Sequence, residues 1–471
     1  MRARLAAAVV LGTWLPGLAL AADGGAPVPT VHVDASAAPG GDGTPARPFR
    51  ALSEAIGPGP RQIRLADGIY AGDVLLDGVE LVGSGASVVS AASPATTLRT
   101  RGEVRLVKVQ VQGGAVGLRV EAGRAELESV RFSGQRTAAL EVAEGAGLSV
   151  SGSAFQASVS GVLGLRLFPA TRAIVRDSEL TGPFQRAVQA TQPAELRLEK
   201  VRTRDALTAL HLEGGEGWAV GLDAARGRGP AVYVARGRLH LRELTVAGHE
   251  YALLTGEGAE VDGADLRSQG AFRAALGIVQ SRASLSRVTI ESAGEHGALS
   301  LVSSDVQLSD LTVTGGKFGG VSMHGGQLRL ERARFSAIET SDRLAGDAVQ
   351  VRTGRATVSA LDVQGCSGIG LLAAEGAVVD LTGGTVQGAG VAGLSADTEG
   401  QLTATGVTVR DTRGPAVLVL DGGKARLVRI QARGNRDGGV WAECSKRASV
   451  EVEGWTGDVR PTASECIQVR K

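Results

Sequence analysis

The sequence predicts an all-β protein, a parallel β-helix solenoid of about 16 or more coils. Apolar and small residues recur every 22 to 23 residues from about Leu118 to the C-terminus, and a fixed period of this size indicates stacked repeats. Within a repeat, apolar and polar residues alternate, as in Val232-Tyr233-Val234 and Leu239-His240-Leu241, which is the period of a β-strand. About three such strands fill each repeat, and no helical period interrupts them. Short strands stacked coil on coil form a parallel β-helix.

The composition agrees with this fold class and limits the functions. The 471 residues include 68 glycines and only 3% aromatic residues, which is typical of tight turns and small inward side chains. The 50 Lys and Arg residues balance 49 Asp and Glu residues, so the net charge gives no reason to expect a nucleic-acid partner. No CxxC pair occurs in the sequence, and we expect neither a metal site nor a cofactor.

The first residues predict a signal peptide over residues 1–21. Arg2 and Arg4 precede an apolar stretch from Leu5 to Leu18, and Ala19-Leu20-Ala21 provides a small-x-small cleavage site. No later stretch is apolar for 18 residues, so no transmembrane segment is expected. We therefore expect an exported protein, located in the periplasm, on the cell surface or outside the cell.

Residues 22–117 are expected to form an N-terminal cap and the first coils. Pro48 to Ile56 predicts a short capping helix, because proline opens it, Leu52 and Ala55 are apolar, and a Gly-Pro pair ends it. Such a helix would cover the unpaired strand edge at the open end of the solenoid. Residues 118–471 then form the repeats and a C-terminal cap.

The repeat assigns a register to most of the chain, with most coils 21 to 23 residues long. The first strand of each coil is expected near Leu118, Leu140, Leu165, Val188, Leu210, Val232, Leu253, Leu276, Leu299, Val321, Val349, Leu371, Leu394, Val417, Val440 and Ile467. Two coils carry insertions, around Ser336–Ala348 and Trp455–Glu465. These predict surface loops, either tolerated or part of a binding face.

The opening of the chain resembles that of right-handed parallel β-helix proteins of the pectin-lyase-like superfamily. The resemblance rests on Val31-His-Val-Asp-Ala-Ser36, Gly40-Gly-Asp-Gly-Thr44, Pro48-Phe-Arg-Ala-Leu52, Leu65-Ala-Asp-Gly-Ile-Tyr70 and Gly78-Val-Glu-Leu-Val-Gly83. That superfamily includes pectate lyases, polygalacturonases, alginate epimerases, tailspikes, adhesins and exported proteins without known activity. The resemblance implies a right-handed coil, but the opening carries no catalytic residues and so implies no reaction.

Catalytic motifs of these enzymes are missing from the sequence. It contains no Asp-Asp pair, as polygalacturonase-like enzymes have, and no Asp-Pro-His motif, as alginate epimerases have. Asp262 and Asp265 share one coil, but the neighbouring coils add no acids at matching offsets. The missing motifs therefore favour a non-catalytic or uncharacterised branch of the superfamily that the chain resembles.

One candidate site emerges from the register. The second residue of each first strand points outward, and four consecutive coils place Arg166, Gln189, His211 and Tyr233 there. Glu213 lies two residues beyond His211 and shares that face. These five residues are the candidate ligand-binding residues. If the protein is an enzyme, His211 and Tyr233 would transfer a proton while Arg166 neutralises a uronate carboxylate. An ordinary solvated sheet face explains the same pattern.

The cysteines and tryptophans near the C-terminus point to a capped last coil. Cys444 and Cys466 lie about one repeat apart and predict a disulfide in an oxidising compartment, with Cys366 left over as a buried or turn thiol. Trp441 and Trp455 are expected to cover the end of the core.

Two functions are consistent with the sequence. The first is an exported β-helix scaffold or binding protein of the envelope, surface or extracellular matrix that interacts with polysaccharides or surface proteins. The alternative is a polysaccharide lyase, or a related carbohydrate-active enzyme, that acts on uronate-containing polysaccharide.

Overall fold

The computed structural model describes residues 28–339, 346–457, 461 and 463–470. The predicted signal peptide and the centre of the first predicted insertion lie outside these residues. The described chain is a parallel β-solenoid of about 17 turns. The parallel β-helix expected from the repeat and from the resemblance is therefore confirmed.

Each coil contributes to three columns of parallel strands, which we name the first, second and third columns. The first column contains Val74–Asp77, Thr96–Arg101, Val116–Val120, Ala138–Val142, Leu163–Leu167, Arg186–Thr191, Thr208–Glu213, Pro230–Ala235, Tyr251–Gly256, Leu276–Val279, Asp347–Arg352, Ile369–Ala374, Ala392–Ala396, Val417–Val419 and Val440–Ala442. The second contains Thr30–Val33, Arg61–Leu65, Val79–Val82, Glu103–Val107, Arg124–Glu128, Gly147–Ser151, Arg172–Arg176, Glu195–Glu199, Glu216–Val220, Lys424–Val428, Ser449–Glu453 and Ile467–Arg470.

The third column contains shorter strands, and some strands run through more than one column. Those of the third column are Gly68–Ala71, Ser87–Ala91, Gln110–Gly113, Arg131–Ser133, Ala154–Gln156, Glu179–Thr181, Arg202–Arg204, Asp223–Ala225, Gln431–Arg433 and Thr456–Gly457. Strands that span the second and third columns are Arg238–Ala247, Glu260–Gln269, Arg282–Ala293, Arg355–Cys366, Val378–Ala389 and Gln401–Arg410. Leu299–Gly316 and Gly319–Ile338 pass through all three.

The predicted register is confirmed from Leu118 to Val440. Each predicted coil start in this range pairs with the next one in the first column. Leu98 also pairs with Leu118, so the coils continue across position 118. The prediction for Ile467 is wrong, because Ile467 pairs with Val450 in the second column.

Inward side chains of the three columns form one continuous core. Before the central inward residue of each first strand lies a position that is always Gly or Ala from Gly117 onward. It is occupied by Gly117, Ala139, Gly164, Ala187, Ala209, Ala231, Ala252, Ala275, Ala298, Gly320, Ala348, Gly370, Gly393, Ala416 and Gly439. At Gly320, a methyl group would overlap the Phe335 ring and the carbonyl oxygen of Ala348. The core therefore needs small residues at this position.

The capping helix is present but shorter than predicted. It comprises Leu52–Ala55, a single turn in which Leu52 and Ala55 are buried. Glu54 Oε2 accepts the backbone N–H groups of Arg50 and Ala51, each at 2.9 Å, and so satisfies two donors at the start of the helix. The helix packs against Thr30–Val33 and Gly68–Ala71.

A disulfide joins Cys444 and Cys466 in the last coil, where a short 3-10 helix spans Cys444–Lys446. Cys366 is a free thiol in the core, and burial raises its pKa to about 12. Trp455 packs against the core end as expected. The expectation for Trp441 is wrong, because it occupies an outward position and is 49% exposed.

Candidate functional site

The structure brings the predicted site residues onto one face of the first column. Arg166 pairs in register with Gln189, Gln189 with His211, and His211 with Tyr233. Glu213 ends the same strand as His211. The repeat therefore located these side chains correctly relative to one another, whatever their role.

His211 and Tyr233 form a ring pair across two coils. Their ring centroids are 4.9 Å apart and the planes are tilted by 35°. Each ring therefore covers one face of the other. The Tyr233 hydroxyl lies close to Gly256, where no side chain intervenes. Burial and the nearby Arg186 charge lower the pKa of His211 to about 4, so its imidazole is neutral near pH 7.

Arg166 is held by a buried carboxylate that sequence reasoning did not single out. Glu141 is 4% exposed and lies between two arginines in the same column. Its Oε2 accepts from Arg119 Nη2 at 2.7 Å and from Arg119 Nε at 3.1 Å, while its Oε1 accepts from Arg166 Nη1 at 3.3 Å. The Arg166 guanidinium also lies 4.6 Å from the Phe168 ring centroid. The signal was present in the sequence, since the three residues share one offset.

The polar face is longer than the predicted site. Arg99 pairs with Arg119 in register, and its Nη2 lies 3.4 Å from Asp73 Oδ1. We name the seven residues at this offset the polar row: Arg99, Arg119, Glu141, Arg166, Gln189, His211 and Tyr233. At about 4.8 Å per coil, the polar row is about 29 Å long.

The polar row ends at Tyr233. The next residues at the same offset are Leu254 and Gly277. The side chains of Leu254 and Tyr251 lie over Gly277, since a methyl group there would be 2.8 Å and 3.0 Å from their nearest atoms. At this offset, the first residue beyond Tyr233 is thus apolar, and the second has no side chain.

Glu213 does not face His211 as a hydrogen-bond partner. Its carboxylate forms an ion pair with Arg236, whose Nε also lies 3.4 Å from Glu257 Oε2. Glu213 and Arg236 line a shallow depression of about 380 Å³ at the turn after the first column, together with Thr191, Gln192, Gly214 and Gly215. Glu213 therefore belongs to the edge of the polar row.

A second cluster on the second column was not predicted. Arg197, Trp218 and His240 share one offset on three successive coils. Arg197 Cζ lies 5.2 Å from the Trp218 ring centroid, and the Trp218 and His240 rings stack at 5.1 Å with 18° between their planes. Both faces of Trp218 are therefore covered. An aromatic ring in this arrangement offers only its edge to a ligand.

Asp262 and Asp265 do not converge on a common site. Asp262 contacts His240, whereas Asp265, three residues farther along the same strand, accepts two bonds from Arg287 at 2.7 Å and 2.8 Å. Across the described ranges, no group of three or more His, Cys, Asp or Glu side chains is arranged to hold a metal ion.

Comparisons with known proteins find weak likenesses to solved structures. No protein-family model matches the chain, and no curated protein matches it. Pectin methylesterase PemA from Erwinia chrysanthemi is 12% identical, with a TM-score of 0.28 over 46% of this chain and 80% of that one. The catalytic domain of a GH87 α-1,3-glucanase is 11% identical, with a TM-score of 0.28 over 84% of this chain and 64% of that one.

The periplasmic alginate epimerase AlgG is 8% identical, with a TM-score of 0.28 over 85% of this chain and 86% of that one. These likenesses are too weak to carry an argument. The parallel β-helix rests on the chain's own strand pairing, and the function has to be argued from the chain's own residues. Within the residues that the structure describes, no helix has the length and apolarity needed to cross a membrane.

Proposed function

We propose that this protein is an exported β-helix binding protein of the cell envelope, surface or extracellular matrix, and that the polar row binds an anionic glycan. One observation carries the proposal: seven polar side chains lie in register on successive coils of one face. A continuous row of about 29 Å suits an extended polymer better than a small molecule.

The charge of the polar row favours an anionic ligand. Arg99, Arg119 and Arg166 lie in it, and Arg186 lies close enough to His211 to affect its pKa. Against these cations stand Glu141, which is buried between two of them, and Asp73 beside Arg99. Guanidinium groups form paired hydrogen bonds with carboxylates, so uronate carboxylates would complete the contacts that Glu141 leaves open.

The engagement of the carboxylates favours binding over turnover. Glu141 is held by Arg119 and Arg166, and Glu213 is held by Arg236. Glycoside hydrolysis needs a pair of carboxylates that can exchange protons and reach the substrate. On this face both carboxylates instead neutralise arginines.

Export is supported by two features. The sequence predicts a signal peptide, and the last coil contains the Cys444–Cys466 disulfide. Disulfides persist mainly in oxidising compartments outside the cytosol. Fractionation of the native cells tests export, and the protein is expected outside the cytosolic fraction.

Binding titrations with matched variants test the proposal. Uronate polymers are expected to bind, and Arg166→Gln is expected to weaken their affinity about tenfold, the effect of losing about 1.4 kcal/mol. Arg131→Gln serves as the control, because Arg131 is exposed on the third column of the same coil as Arg119. Equal effects of the two substitutions would contradict the proposed site.

A lyase is the second candidate, favoured by the neutral His211 beside Tyr233. In β-elimination, a base removes the proton next to the uronate carboxylate, a carbon–carbon double bond forms, and the glycosidic oxygen leaves with a proton. His211 would act as the base, Tyr233 as the acid and Arg166 as the carboxylate partner. Incubation with uronate polymers would then release unsaturated products that absorb in the near ultraviolet. His211→Ala should abolish that release.

A further inference from the structure

We infer that Glu216, His240 and Asp262 form a pH-sensitive brace that joins three successive coils of the second column. We call these three residues the brace. They belong to the strands Glu216–Val220, Arg238–Ala247 and Glu260–Gln269, which stack in that order.

The brace is defined by short contacts to both nitrogens of one imidazole. His240 Nε2 lies 2.9 Å from Glu216 Oε1, in the coil before it. His240 Nδ1 lies 2.8 Å from Asp262 Oδ1 and 2.9 Å from Asp262 Oδ2, in the coil after it. The ring thus bridges two carboxylates that otherwise have no direct contact along the stack.

This geometry depends on the charge of the ring. An ionised carboxylate only accepts hydrogen bonds, and a neutral imidazole donates from one nitrogen alone. Both contacts can be hydrogen bonds only when both nitrogens carry a proton. Loss of one proton leaves a lone pair facing a carboxylate, which is repulsive. The imidazolium therefore forms both hydrogen bonds of the brace, whereas the neutral ring forms only one of them.

The surroundings of His240 favour the imidazolium. Burial opposes the charge, but the hydrogen bonds and charges of Glu216 and Asp262 outweigh it and raise the pKa of His240 above its usual value. The stacked Trp218 ring also attracts a cation on its face. The other charged groups nearby are largely paired with each other: Arg238 with Glu260, and Arg197 with Glu195. Arg242 lies two residues along on the same strand.

The brace joins the coils that carry the end of the polar row. Glu216 follows His211 in one coil, His240 follows Tyr233 in the next, and Asp262 follows Leu254 in the third. Acidification from pH 8 to pH 6 should therefore tighten the stacking of these coils. His211 stays neutral over the same range, since its pKa is about 4.

Nitrogen-15 NMR of the histidine rings tests the brace directly. The His240 signals are identified by their loss in His240→Gln. Their titration midpoint is expected above about 6.5, the usual histidine value, and is expected to fall in both Glu216→Gln and Asp262→Asn. His324→Gln is the control, because His324 is an exposed outward residue that should leave the His240 midpoint unchanged. A wild-type midpoint at or below 6.5, or no fall in either carboxamide variant, overturns the inference.

Hydrogen exchange tests the mechanical consequence. After correction for the intrinsic pH dependence, amides of Thr208–Glu213 and Pro230–Ala235 should be better protected at pH 6 than at pH 8. His240→Gln should remove that difference, whereas His324→Gln should keep it. Equal protection at the two pH values in the wild type would show that the brace does not tighten the coils.

Discussion

At the scale of the residue, an outward side chain has its nearest partners directly above and below it in the stack. Coils repeat every 4.8 Å or so, and residues at equal offset therefore meet along the axis. The Arg119–Glu141–Arg166 chain, the His211–Tyr233 pair and the Trp218–His240 pair all follow this rule. In the His211–Tyr233 and Trp218–His240 pairs, each ring covers one face of its partner, which leaves less ring surface for a sugar.

Glu141→Gln tests the buried carboxylate of the polar row. Glutamine fills the same space but cannot neutralise two arginines, so the free energy of unfolding should fall by about 1–2 kcal/mol. We expect no larger loss, because both arginines are partly exposed and water screens their charges. Thermal or chemical denaturation measures the loss. Glu144→Gln, an exposed change in the same coil, should alter stability little. Similar losses in both variants would argue against a special role for Glu141.

His211 should make the protein less stable in acid. Its folded pKa of about 4 lies below the usual 6.5, so between these values the unfolded chain binds more protons and stability falls as the pH falls. Because the ring is only half-buried, we expect the protein to lose about 1–2 kcal/mol of stability as the pH falls through this range. The loss should be complete below about pH 4. His211→Gln should flatten the dependence, as measured by melting temperature against pH. His240→Gln should instead cost the most stability at acid pH, where the imidazolium is fully formed, because the folded pKa of His240 is raised.

At the scale of the element, the first strand needs a very small residue before its central inward side chain. The Gly or Ala column brings the backbone of one coil close to the carbonyl oxygens of the next and to third-column side chains. Alternation in the sequence predicted which residues point inward. The small-residue column was also visible in the sequence, but its cause, the approach of groups such as Phe335, became clear only in three dimensions.

Gly320→Ala tests this requirement. The added methyl group overlaps Phe335 and the Ala348 carbonyl oxygen, so we expect a loss of about 1–3 kcal/mol from overpacking. Gly217→Ala is the matched control, because its methyl group would lie 3.3 Å from Leu212 and 3.4 Å from Leu239. Denaturation midpoints compare the two. If Gly217→Ala costs as much as Gly320→Ala, crowding is not the reason for the small column.

The last coil should depend on its disulfide. Cys444 and Cys466 are 22 residues apart, and closing such a loop stabilises by about 3 kcal/mol in the chain-entropy model. In the double variant Cys444→Ser/Cys466→Ser, hydrogen exchange should increase in Ser449–Glu453 and Ile467–Arg470. Central coils should exchange as before, since each coil contacts only its neighbours. Loss of protection throughout the chain would contradict this local effect.

At the scale of the whole molecule, a period in the sequence acts as a coordinate system. Hydrogen bonding holds successive coils in register, so an offset in the sequence becomes a position in space. The part of the polar row from Arg166 to Tyr233 could therefore be located from the sequence. The period did not predict the position of Ile467, which lies in the second column. The period and the alternation predict which side chains share a face, but not which atoms of long side chains meet. They therefore could not show that Glu141 joins two arginines or that His240 bridges two carboxylates.

The central claim, that the polar row binds an extended anionic glycan, is tested most directly by titrating uronate oligomers of increasing length. Affinity should rise with length until the oligomer spans about 29 Å, the length of the row, and should then level off. Neutral oligomers of equal length should bind far more weakly. Affinity that is independent of length, or equal for neutral and anionic oligomers, would contradict the account.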